Sequence, residues 1–288
     1  MATIEAKTGH ARPGGPAPGR WMDDFRTIVS AGRIVELGHV LHEDIPHSPN
    51  HPPFMFRLTK RHHEQRTDAK TGDDDVTFSS DMFTMGSHNG THIDALVHAG
   101  CCGMITGDLD SDEVATERDG YSEHGIETVE PLFIRGVLLD IAALMRVESL
   151  PPAYLISAAQ LAEAADRQGV EVRAGDAVLI RSGWQRFWTD HRKYVGLREG
   201  TPGPGREGAI WLGDRHIRVA GADTFAFDKR PSSMPAHVEL MIRRGINIME
   251  NMALDELASE GVHEFMFCAL PMRIKGGTGS PVRPIALY

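Results

Sequence analysis

The sequence predicts a mixed fold, α/β or α+β, in one compact domain. Three observations carry this reading. Short apolar runs bounded by Gly or Pro recur along the chain, as in PLFIRGVLLDI (131–141), AVLIR (177–181) and EFMFCAL (264–270), and read as buried strands. Helical segments with recognisable start and stop residues fall irregularly between them. No segment repeats and no heptad pattern is sustained, which leaves out solenoids and coiled coils.

Taken in order, residues 1–20 (MATIEAKTGHARPGGPAPGR) are rich in Gly, Pro and Ala and read as a flexible arm, leaving 21–288 as the domain. Trp21 to Val35 spaces Trp21, Phe25, Ile28 and Val29 as an amphipathic helix, and Ile34–Leu37 reads as a strand. Pro46, Pro49, Pro52 and Pro53 keep 42–53 irregular, a loop long enough to line a pocket. The charged stretch 60–75 is expected as an exposed turn or ribbon tip. Val76 to Met85 is expected as the strand that delivers the motif beginning at His88. Asp108, Asp110 and Asp112 give 107–120 a faint calcium-loop look, but Glu113 stands where such a loop needs Gly, so a solvated loop is expected.

Ser157 to Gly169 is a helix with Ser157 as N-cap and Gly169 as its stop. Strands are expected at 170–172 and 177–181, with a turn at Gly175–Asp176. The aromatic group Trp184, Phe187 and Trp188 packs in the interior or walls a pocket. The Gly/Pro-rich stretch 196–210 reads as a long loop, 217–222 as a strand and 223–233 as irregular chain. Pro235 to Arg244 is a helix with Pro in its first turn and Gly245 ending it. In the strand 246–251, Glu250 shares a face with Ile246 and Ile248, so it is buried with a partner or sits on the rim of a site. A short helix at 254–259 and strands at 264–270 and 285–288 complete the list.

The most informative stretch is His88-Asn89-Gly90-Thr91-His92-Ile93-Asp94-Ala95-Leu96-Val97-His98. Three imidazoles and one carboxylate fall at 88, 92, 94 and 98, all even, so they share a face wherever the chain is extended. Gly90 between them suggests a bulge or a close backbone approach. With fifteen histidines in the chain, a nearby pair such as His47/His51 or His62/His63 is expected as surface or loop. Four donors at this spacing instead suit a divalent ion such as Zn, Mn or Fe(II). His88, His92 and Asp94 are the expected ligands, and His98 is left for proton transfer.

Composition excludes other classes. A net charge of −10 disfavours a nucleic-acid binder. No apolar run approaches the roughly 18 residues of a membrane span, and the N-terminus lacks the layout of a secretory signal. Three cysteines, two of them adjacent (Cys101, Cys102, Cys268), make a poor disulfide framework and point to a reducing, cytoplasmic setting. Cys101 and Cys102 are expected as small semi-buried residues behind the site.

The 88–98 motif resembles the HxGTHxDxPxH signature of the cyclase-family metal-dependent hydrolases, which include bacterial kynurenine formamidase and isatin hydrolase. His237-Val238-Glu239-Leu240 through Gly245 to Glu250-Asn251, and Leu270-Pro271 with Gly276-Gly277-Thr278-Gly279-Ser280-Pro281-Val282-Arg283, resemble two further family blocks in the same order. The resemblance implies a swivelling β/β/α domain with a central mixed, barrel-like sheet, in a homodimer or homotetramer. It also implies one or two Zn or Mn ions. His88, His92 and Asp94 match the first ligands, with Asp94 bridging where two ions bind, His237 and Glu250 match further ligands, and His98 matches the general acid/base. Two departures stand out. Leu96 replaces the usual Pro, making that loop less rigid by sequence. Ser48 stands where kynurenine formamidase has a substrate-contacting tryptophan, which argues against N-formylkynurenine as the substrate.

A divalent ion lowers the pKa of a bound water from 15.7 to about 7 and polarises a carbonyl. Hydrolysis of an amide, lactam, lactone, ester or formamide in a small-molecule substrate is therefore the expected activity, with His98 moving the proton. The chain has no GxSxG elbow, Ser280 lacks a base nearby in sequence, and the 276–280 loop is not a P-loop, because no GK[ST] follows. That loop is expected as a turn bringing backbone close to the site. The competing class is a non-catalytic binding or scaffold protein with a structural metal, but structural sites are closed and usually rich in Cys.

Overall fold

The computed structural model describes residues 32–62 and 76–288, together with 23, 26, 27, 29 and 30. The expected arm at 1–20, most of the expected helix at 21–35, and the tip at 63–75 lie outside the described residues.

Nine strands form one mixed sheet: β1 (Ile34–Glu36), β2 (His92–Asp94), β3 (Leu132–Asp140), β4 (Ala177–Arg181), β5 (Val219–Ala222), β6 (Asn247–Glu250), β7 (Glu264–Ala269), β8 (Gly279–Pro281) and β9 (Ile285–Leu287). Their spatial order is β1-β9-β7-β3-β4-β5-β6-β2-β8. The central four, β3, β4, β5 and β6, run parallel. Every pairing outside them is antiparallel.

Chain connectivity shows that the sheet curls. Nine strands laid flat would span about 38 Å at the usual inter-strand spacing. Yet β8 lies at one end and β9 next to the other, with only three residues between them, a gap those residues cross in at most about 14 Å. The ends must therefore come together, and the sheet is a half-barrel of the expected barrel-like type.

Both faces are buried along β4, β5, β6 and the second half of β3, which explains why those strands read as continuous apolar runs, whereas β7 alternates, with Met266 exposed. Val137, Leu139, Val178, Ile180, Ala220 and Ile248 point to one face and pack under the helices α1 (Ala158–Gln168) and α2 (Arg206–Gly213) and the helical segment 235–244. Their neighbours Leu138, Ala177, Leu179, Val219 and Met249 point inward and meet Ile93, Phe265, Phe267 and Leu254. Helix α1 has the expected ends: Ser157 and Gln160 form a capping box, and Gly169 closes the helix at φ 66°.

Four expectations about elements are corrected. Residues 170–172 are not a strand, because β4 is already flanked by β3 and β5 and offers no free edge. Helix α2 starts inside the expected loop 196–210. Its Gly208 and Gly213 hid it from propensity, but they allow close packing: a Cβ on Gly213 would lie 2.2 Å from Arg244 Cδ. Ser80–Thr84 pairs with Met55–Lys60 in a separate exposed ribbon rather than in the main sheet. Within 107–120, short strands and a helical turn at Ser111–Val114, capped by Asp110, replace a plain loop. The segment 235–244 is helical as expected, but Val238–Ile242 forms a π-helical turn.

Candidate metal centre and its cleft

The site lies where β2 is sandwiched between β6 and β8. Register pairs His92 with Glu250 on one side and Asp94 with Gly279 on the other. The period-two argument holds only for His92 and Asp94, with Ile93 turned into the core. His88 and His98 sit on turns flanking β2.

Gly90 makes the approach possible. Its φ is +65°, and a Cβ there would lie 2.5 Å from Leu41 Cδ2. The carbonyl of Gly90 accepts from His92 Nδ1 (2.9 Å) and from Asn251 Nδ2 (3.0 Å). Thr91 Oγ1 donates to the Asn251 carbonyl (2.6 Å), and Asn89 Nδ2 to that of Pro52 (2.6 Å), tying the motif to β6 and to the Pro-rich loop. Leu96, in place of Pro, leaves no slack. His98 N donates to the Ala95 carbonyl (2.8 Å), Ala95 N to that of Thr278 (2.9 Å), and the Leu96 side chain packs against the helix-side core.

Asp94 is fully buried and central. Its Oδ1 lies 2.8 Å from His88 Nδ1 and 3.4 Å from His92 Nε2, and its Oδ2 lies 3.7 Å from His237 Nε2. Glu250 Oε1 is 3.3 Å from His237 Nε2, and Oε2 is 3.5 Å from His92 Nε2. The five expected ligands are thus brought together, in two overlapping sets that share Asp94: His88, His92 and Asp94, and Asp94, His237 and Glu250.

The other nitrogen of each imidazole is engaged, which selects the atom that faces the centre. His92 presents Nε2 because Nδ1 is held by Gly90. His88 presents Nδ1 because Nε2 meets Thr278 Oγ1 at 2.9 Å. His237 presents Nε2 because Nδ1 meets Asp228 Oδ2 at 2.5 Å. Asp228, fully buried, also accepts from the backbone N of Ala236 (2.7 Å) and His237 (3.1 Å), so it fixes both the ring and the start of its helix.

The donors fit a divalent cation. His92 Nε2 and Asp94 Oδ2 are buried with no hydrogen-bond partner, a costly arrangement unless something else satisfies them. Three buried carboxylates, Asp94, Asp228 and Glu250, crowd the centre and favour positive charge. Burial would raise the Asp94 carboxyl, but His98, His237, His88 and His92 outweigh it and hold it well below the usual carboxylate range. Burial likewise opposes the charged form of His237, yet Asp228, Asp94 and Glu250 push its pKa well above the ordinary value.

His98 stacks on His88 with ring centroids 3.8 Å apart. It opens into a cavity of about 400 Å³ that His88, His237 and Glu250 also line. Desolvation in the cleft lowers its pKa to about 4 against the pull of Asp94, so the imidazole is neutral at neutral pH. Ser48 and the Pro-rich loop line the same cavity, as expected of that loop.

Sequence reasoning missed Asp228, Thr278 and His51. His51, expected as surface or loop, lines the cavity with its ring 5.4 Å from that of His88. The 276–280 loop does bring backbone to the site, through Thr278 and Gly279. Ser280 Oγ instead accepts from Met272 N and donates to the Pro281 carbonyl. Trp184 is buried and donates Nε1 to the Tyr194 carbonyl (2.9 Å), so its role is packing outside this cavity. Cys101 and Cys102 are exposed rather than semi-buried, and neither lines the cavity.

Comparison with known proteins agrees with this geometry. The chain is 26% identical to an isatin hydrolase of Roseibium aggregatum over 218 residues, 73% of this chain and 75% of that enzyme. It is 26% identical to a kynurenine formamidase of Bacillus cereus over 251 residues, 87% of this chain and 95% of that enzyme. A crystal structure of a novel cyclase superposes with a TM-score of 0.83 at 26% identity, covering 95% of this chain and 92% of that one. The Cyclase family model matches residues 35–229, the half-barrel up to β5 and the first three donors included, and the chain belongs to that family.

Proposed function

We propose that this protein is a metal-dependent hydrolase of a small amide or ester, cyclic or linear, using water activated at the His88–His92–Asp94–His237–Glu250 centre. The observation that carries this reading is Asp94, buried between two donor sets beside a cavity large enough for a substrate. A divalent ion held there supplies a Lewis acid for the carbonyl and a water of lowered pKa. Asp228, Thr278 and the Gly90 carbonyl hold three imidazoles in register, and His98, with no side-chain hydrogen bond among the described residues, is free to take a proton and pass it to the leaving nitrogen or oxygen. The relatives named isatin hydrolase and kynurenine formamidase support an amide-type bond. Ser48 in the cavity wall supports a substrate other than N-formylkynurenine.

Zinc or manganese, one ion or two, suits the mixed nitrogen and oxygen donors. Free cysteines support a cytoplasmic setting; among the described residues no helix is long and apolar enough to cross a membrane. The exposed ribbon residues Phe56, Leu58, Met82 and Phe83 support assembly as a homodimer or homotetramer. A purely structural metal is the weaker reading, because the donors open onto a cavity and none is Cys.

The test is metal analysis joined to a screen of formamides, lactams, lactones and esters, with and without chelator. Hydrolysis that a chelator abolishes and added Zn2+ or Mn2+ restores is expected. A stoichiometric ion without any hydrolysis would favour the structural reading.

A further inference from the structure

The cavity carries a charge arrangement that hydrolysis alone does not require. Besides the donors, Arg198 and Arg230 line it, and the sole carboxylate among the lining residues is Glu250, already committed to the centre. Buried or half-buried arginines such as Arg135, Arg181 and Arg244 are paired, with Asp176, Asp140 and Asp214. Among the described residues Arg198 and Arg230 have no carboxylate within ion-pair distance, and the Arg230 guanidinium meets only Met234 Sδ at 3.7 Å.

The two arginines are also placed together by the backbone. Arg198 sits in a tight loop between Gly196 (φ +69°) and Gly200 (φ +81°), closed by Gly200 N donating to the Gly196 carbonyl at 3.0 Å. The next residue, Thr201, accepts from Arg230 N at 2.9 Å, and a Cβ on Gly200 would lie 2.0 Å from the Arg230 carbonyl. The loop carrying one guanidinium is thus laced to the segment carrying the other. In a chain of net charge −10, this pair makes a local positive field at the mouth of the centre.

We propose that the substrate is an anion: an amide or ester whose non-reacting part bears a carboxylate, bound by Arg198 and Arg230 while the scissile carbonyl faces the donors. Guanidinium offers the fork of N–H donors that matches a carboxylate. This inference rests on the hydrolase reading, and its test separates the two.

Binding of benzenesulfonate, an anion that coordinates metals poorly, is compared with binding of its neutral isostere methyl phenyl sulfone by calorimetry on the metal-loaded protein. The anion is expected to bind at least about tenfold more tightly. Arg198→Gln combined with Arg230→Gln is expected to erase that preference, and the two Arg→Lys variants to keep part of it. In parallel, acetate release from 4-acetoxybenzoate and 4-acetoxybenzamide is followed. Wild type is expected to favour the carboxylate through KM, and the double variant to lose that bias, its kcat/KM falling more for 4-acetoxybenzoate than for 4-acetoxybenzamide. Equal binding of the two probes by wild type, or an anion preference that survives the double variant, overturns the proposal. Arginine-dependent anion binding with no hydrolysis of either ester would instead sink the hydrolase reading and leave anion recognition standing.

Discussion

Asp228→Asn tests how far the centre depends on a residue that touches no substrate. Asp228 accepts three hydrogen bonds, from His237 Nδ1, His237 N and Ala236 N, in a fully buried position. Asparagine keeps one acceptor oxygen and puts an NH2 where the other stood, so at least one N–H must then face a donor. If the amide turns its nitrogen to His237, the ring relieves the clash by moving its proton to Nε2, which blocks the atom facing Asp94 and Glu250. Loss of such an outer partner costs about 10- to 100-fold in metal affinity, which is about 1.4–2.7 kcal/mol. Calorimetric titration of metal-stripped protein with Zn2+ or Mn2+, against a competing chelator, measures it. Glu239→Gln serves as the control, because that buried carboxylate pairs with Arg243 and Arg244 and is not among the donors; it should lower the melting temperature and leave affinity alone. An Asp228→Asn protein that folds and binds the ion as tightly as wild type would refute the reasoning.

His98→Ala should retain the ion and lose about 10²- to 10⁴-fold in kcat, whereas Asp94→Ala should lose the ion itself; metal content measured beside turnover separates them, and full activity in His98→Ala would refute the role. Gly90→Ala forces a side chain into positive φ and against Leu41, so it should destabilise by about 1–3 kcal/mol, read as a lower melting temperature with weakened ion binding. His39, stacked on Trp188, has its pKa lowered to about 4 by burial, with Asp255 opposing. The unfolded chain therefore takes up this proton first as the solution is acidified. The stability His39 lends is complete above about pH 6.5 and is lost as pH falls towards 4. His39→Gln should flatten that part of a melting-temperature profile, and an unchanged slope would count against it.

Much of the centre was legible because a β-strand and a helix start impose spacing. His92 and Asp94 must share a face once β2 is extended, and Glu250 ends a strand on the same face as Ile248, which packs under the helices. Asp228 was not legible, since it lies in irregular chain where no period relates a residue to the site nine positions later. Thr278 and His51 reach the donors only through long-range packing that local pattern does not encode. The central strands were readable as apolar runs because both of their faces are buried, as with AVLIR in β4. Helix α2 was hidden because the glycines that let it pack are the same residues that lower helix propensity. The 80–84 ribbon was misread since Met82 and Phe83 are apolar yet exposed, and local pattern does not separate an apolar strand that joins the core from one that stays on the surface.

The nine residues from Gly279 to Leu287 perform two tasks at once. Gly279–Pro281 supplies the outer neighbour of the Asp94 strand, and Ile285–Leu287 fills the slot between β1 and β7. Thermodynamic reciprocity then couples ligation to the seam of the barrel: whatever free energy an ion at Asp94 lends to this strap, fraying of the strap takes from the ion. Amide exchange at Ala286 and Leu287, remote from every donor, should therefore slow when the centre is loaded.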